Sequence, residues 1–123
     1  MRYLILSDLH ANLEATDAVL EAAAALSIDR ALVLGDLVGY GPNPNEVVDR
    51  VLGLKDAMVI RGNHDRVASG LSPDDDFNPR AQAAVRWTAA VRPARPSASL
   101  GVPMFVTHGA DRPRTEHGEL DRV

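Results

Sequence analysis

Four short apolar runs divide the chain, and each stops at a polar turn. Arg2 to Ser7 carries Tyr3-Leu4-Ile5-Leu6; the others are Ala31-Leu32-Val33-Leu34, Ala57-Met58-Val59-Ile60 and Met104-Phe105-Val106-Thr107. Brief, continuously apolar runs read as strands buried on both faces. The stretches between them look helical. Leu13 to Leu26 is rich in Ala and Leu, lacks Gly and Pro, and has Asn12 before it as an N-cap. Asn43-Pro44, with Glu46 following, starts a second helix, and Asn78-Pro79 starts a third over Arg80 to Val91. Val47, Val51 and Leu54 mark the buried face of the second. Ala84, Trp87 and Val91 share a face of the third, which places Trp87 in the core. Val67 to Asn78 reads as loop, with Asp74-Asp75-Asp76 a solvated acidic turn. This alternation predicts an α/β fold, a mainly parallel sheet with flanking helices.

The 123 residues have room for one domain. A net charge of −4 weighs against nucleic acid as a structural partner. The absence of Cys excludes disulfides, thiol nucleophiles and Cys-based zinc sites. Asp8 and His10 end the first apolar run too early for a secretory segment. No stretch approaches the roughly 20 apolar residues of a membrane span. A cytoplasmic location without a membrane partner is therefore expected. After Val91 the composition changes: Pro93 and Pro96 interrupt it, and Asp111 to Val123 is highly charged.

Every strand ends in a candidate metal ligand. The ends read Ser7-Asp8-Leu9-His10, Gly35-Asp36, Arg61-Gly62-Asn63-His64-Asp65 and Thr107-His108-Gly109. In parallel α/β sheets the loops after the strands gather along one edge. Asp8 and Asp36 brought together there would repel unless a cation lay between them. Carboxylate, amide oxygen and imidazole suit manganese, iron or zinc better than calcium. A carboxylate that bridges two ions suits a two-metal site. Tyr40, in Gly39-Tyr40-Gly41, either lines a substrate pocket or packs under its glycine-rich loop. Arg61 either meets phosphate or is simply solvated.

Asp8-Leu9-His10, Gly35-Asp36 and Gly62-Asn63-His64-Asp65, in this order, resemble the calcineurin-like metallophosphoesterase superfamily. Gly35-Asp36-Leu37-Val38-Gly39-Tyr40-Gly41-Pro42 is more narrowly similar to its small bacterial phosphodiesterase branch. The resemblance covers residues 1 to 91 and extends more thinly to His108-Gly109. It implies a metallophosphoesterase domain over residues 1–110, followed by a charged tail over 111–123. It also implies two divalent cations, manganese first, with iron, zinc or nickel as alternatives. Asp8 and His10 would hold one cation, Asp36 would bridge, and Asn63 and His108 would hold the other. His64 would protonate the leaving oxygen, and Asp65 would support its loop. The implied activity is hydrolysis of a small phosphodiester or phosphate ester.

The chain also departs from that family. The family's Gly-His-x-His motif is missing, and His117, in Glu116-His117-Gly118, reads as part of a solvated tail. The family fold is a four-layer αββα sandwich, and this chain supplies little of the second sheet. A truncated, frameshifted or diverged C-terminal part is expected. The first sheet would then expose an apolar face, giving marginal stability or self-association through it. The second functional reading is a weak or inactive family fragment that binds metal or a partner protein. A receiver-type domain would need an aspartate pair after the first strand, where this chain has Asp8 with His10.

Overall fold

The computed structural model describes residues 1–91. The fourth strand candidate, His108, His117 and the tail lie outside the described residues. Three strands form one parallel sheet in the order β1-β2-β3: β1 is Tyr3–Leu6, β2 is Arg30–Val33 and β3 is Ala57–Val59. Leu6 sits opposite Val33, and Val33 opposite Val59. The helices are α1 (Leu13–Ala24), α2 (Pro44–Leu52), α3 (Asn63–Ala68) and α4 (Pro79–Val91). None is long and apolar enough to cross a membrane. The α/β expectation with a parallel sheet is met.

The helix starts follow local chemistry. The Asn12 side chain accepts from the Ala15 N–H at 3.0 Å, and the Asn78 side chain accepts from the Ala81 N–H at 3.0 Å. Asn43 occupies the N-cap of α2 without a side-chain cap bond, and Pro44 opens that helix.

One face of the sheet carries the core. Leu6, Val33 and Val59 pack with Val48 and Val51 of α2 and with Leu37 and Val38 of the loop after β2; Leu20 of α1 joins them. Among the described residues, nothing covers the opposite face. Ile5 is 60% exposed, and Tyr3, Leu34 and Met58 are exposed as well. Burial on both faces, expected from the apolar runs, is therefore corrected. The two crossover helices pack against the same face, so alternate strand residues face solvent.

Two further corrections concern the second half. The strand end Arg61 to Asp65 and the start of the loop expected over Val67 to Asn78 are corrected, because Asn63–Ala68 is helical. In α4 the buried residues are Ala81, Val85 and Thr88, while Trp87 is 46% exposed. Alanines on every side of that helix leave its inward face undefined by pattern alone. The acidic turn is only partly solvated: Asp74 accepts from Arg86 Nε at 2.7 Å and ties the loop to α4.

Candidate metal centre

β1 and β2 end side by side, and their outgoing loops stay laced together. The Asp8 N–H donates to Gly35 O at 3.1 Å, the His10 N–H to Asp36 O at 2.9 Å and the Ala11 N–H to Leu37 O at 2.8 Å. Asp8, His10, Ala11, Asp36 and Tyr40 all adopt left-handed backbone, with φ between 44° and 64°. Each such non-glycine residue costs on the order of 1–2 kcal/mol. The lacing bonds hold the loops there and turn the side chains toward one another.

The outcome is a compact ligand set. Asp8, His10 and Asp36 each offer one ligand atom, and these atoms lie within 4.8 Å of one another. His10 Nδ1 is 2.9 Å from Val38 O. That carbonyl can only accept, so Nδ1 carries the proton and Nε2 of the neutral ring keeps its lone pair. Nε2 lies 3.5 Å from Asp8 Oδ1. The donor set is two carboxylates and an imidazole nitrogen, which fits a divalent transition metal.

Asn63 and His64, at the start of α3, close on Asp36 from the third strand end. Asp36 Oδ1 accepts from the His64 N–H at 2.9 Å. The Asn63 amide oxygen faces the Asp36 carboxylate, acceptor against acceptor. Rotating the amide lets its nitrogen donate to Oδ1 and Oδ2 at 3.3 and 3.0 Å; a cation between the groups would satisfy them as they stand. Gly62 makes this approach feasible, because a Cβ there would run into the Asp36 carboxylate.

Asp65 does not face the ligand set. It is 1% exposed, and its carboxylate accepts from the Gly62 N–H at 2.9 Å and the Val38 N–H at 3.1 Å. It thereby joins the loops after β2 and β3. Burial pushes its pKa up to about 6, against the pull of those backbone donors.

His64 is 7% exposed, and its Nδ1 is buried without a hydrogen-bond partner. Burial lowers its pKa, with Asp36 pulling the other way. Its ring lies 4.8 Å from those of His10 and Tyr40 and 4.6 Å from that of Phe77. A Cβ at Gly39 would strike this imidazole, so the glycine leaves the space His64 occupies. Sequence reasoning passed over Phe77. Its signal was an aromatic in a polar loop, in a chain whose aromatic content is only 4%.

A family model described as calcineurin-like phosphoesterase matches residues 1–121. The chain belongs to the calcineurin-like phosphoesterase family. An uncharacterized protein of Methanocaldococcus jannaschii is 42% identical over 87 residues, covering 71% of this chain and 35% of its own length. The crystal structure of a metallophosphoesterase from Sphaerobacter thermophilus is similar at 46% identity and a TM-score of 0.60, over 76% of this chain and 38% of that one. The crystal structure of a hypothetical protein from Pyrococcus horikoshii is similar at 25% identity and a TM-score of 0.65, over 73% of this chain and 43% of that one. This calcineurin-like phosphoesterase chain thus spans well under half the length of these relatives.

Proposed function

We propose that this member of the calcineurin-like phosphoesterase family is a metal-dependent hydrolase of phosphodiesters. The observation that carries the reading is the convergence of Asp8, His10 and Asp36 ligand atoms within 4.8 Å. Asp8, His10, Asp36 and Asn63, with His108 as a further ligand, would hold two divalent cations. Manganese is the first choice of ion, with iron, zinc or nickel as alternatives. When bound, such a pair supplies a nucleophilic water at neutral pH and neutralises charge on the phosphoryl group.

The chain's own residues do the rest. The Val38 carbonyl orients His10 through Nδ1, which presents Nε2 to the cation. The His64 N–H holds the Asp36 carboxylate in place. His64 would protonate the leaving oxygen, with Asp36 offsetting the burial that disfavours its charged form. Asp65 keeps the His64 helix in register with the loop after β2.

The test is hydrolysis of bis(p-nitrophenyl) phosphate with and without manganese, with Asp36→Asn and His64→Ala alongside. The expected result is manganese-dependent turnover lost in both variants. Turnover indifferent to both substitutions would overturn the mechanism.

One sequence observation favours the second reading, a weak or inactive fragment that binds metal or a partner. The Gly-His-x-His pattern is missing, and with it two imidazoles. Counting bound ions separates the readings: two per chain support the enzyme, and one or none supports the remnant.

A further inference from the structure

Tyr40 has more surface than its place in the fold uses. It is 50% exposed, although its ring sits against two imidazoles, 5.0 Å from His10 and 4.8 Å from His64. Its backbone is left-handed, at φ 64°, between Gly39 and Gly41. A residue needed only to turn this loop would be Gly or Asn, which adopt that conformation at lower cost. A bulky aromatic in that conformation, with half its surface in water, is a poor choice for packing alone.

The position gives the ring a use. His10 and the two carboxylates form the ligand set, and the half-exposed Tyr40 ring lies edge-to-face against His10. A phosphoryl group at the ligand set would carry its ester substituent within a few bonds of the Tyr40 ring. The ring meets His10 edge-on and His64 at a 47° tilt and stays 50% exposed among the described residues, which leaves surface for an offset stack. Among the described residues, no further aromatic contact occupies it.

We infer that Tyr40 is a specificity residue that stacks on a flat aromatic group, such as a nucleobase, carried by the phosphoester. The inference rests on the proposed phosphodiesterase reading and narrows its substrate class. The stack is sequence-tolerant, so it selects aromatic over aliphatic esters without choosing among bases.

The test compares two probes with the same leaving group on the manganese-loaded full chain. These are the p-nitrophenyl ester of thymidine 5′-monophosphate and methyl p-nitrophenyl phosphate. The expected preference for the thymidine ester in kcat/KM is about tenfold, carried by KM, within the range of one base stacked on one ring. Tyr40→Leu abolishes the preference and Tyr40→Phe keeps it. Calorimetry with thymidine 5′-monophosphate against methyl phosphate reads the same preference without turnover. If neither probe is hydrolysed, the phosphodiesterase reading fails while the binding comparison still tests Tyr40. Equal affinity for the two ligands in the unsubstituted protein, a preference that survives Tyr40→Leu, or no binding of either would overturn the inference. A purely structural Tyr40 would lower both probes equally and leave their ratio unchanged.

Discussion

The backbone N–H of His64 donates to Asp36 Oδ1 at 2.9 Å, so the third strand end is fastened to the carboxylate that follows the second. That bond and the lacing of the first two loops convert three separate strand ends into one site.

Gly62 is the contact point between the loops after β2 and β3. Gly62→Ala places a methyl group against the Asp36 carboxylate and backbone. The expected cost is about 1–3 kcal/mol of overpacking strain, with loss of metal affinity out of proportion to it. Denaturant melts paired with manganese titration check this. A variant with wild-type stability and wild-type affinity would show that the approach is not tight.

The sheet has one working face. Val33 is 0% exposed and central in the core, whereas Ile5 is 60% exposed. Val33→Ala is expected to cost about 2 kcal/mol from lost burial and the cavity left behind. Ile5→Thr is expected to stay within about 0.5 kcal/mol. Equal costs in urea melts would mean that the open face is covered.

Asp65 predicts a pH dependence of the metal-free protein. Its carboxyl is raised from 3.8 to about 6 by burial. The folded state therefore binds more protons than the unfolded state between those values, so stability falls as pH rises through that window. The contribution is complete below the unfolded value and gone above the folded one. The drop amounts to roughly 2–3 kcal/mol. Melting in the presence of a chelator checks it, and Asp65→Asn flattens the profile. A profile that rises across the window in the unsubstituted protein would contradict the assignment.

Much of this was legible in the residues, for physical reasons. Short apolar runs ending at Asp8, Asp36 and Gly62 located β1, β2 and β3, and Asn-Pro pairs located α2 and α4. The convergence of Asp8, His10 and Asp36 followed from parallel strands sharing an edge. α3 was not legible. It is a six-residue helix whose buried residues are the polar His64 and Asp65, so no apolar period announces it. What fixes it is the Asp65 carboxylate reaching back to the Gly62 N–H, a bond that depends on the loop after β2 being in place. Trp87 was misplaced because burial in α4 follows contacts with other elements, not side-chain size. The orientation of His10 was equally invisible, because its partner is the backbone carbonyl of Val38 and carries no side-chain signature.

Manganese binding to the full chain by calorimetry tests the central claim most directly, with Asp36→Asn as the comparison. The account predicts saturable binding in the unsubstituted protein and at least a tenfold loss of affinity, about 1.4 kcal/mol, in the variant. Absence of binding, or affinity untouched by Asp36→Asn, would contradict it.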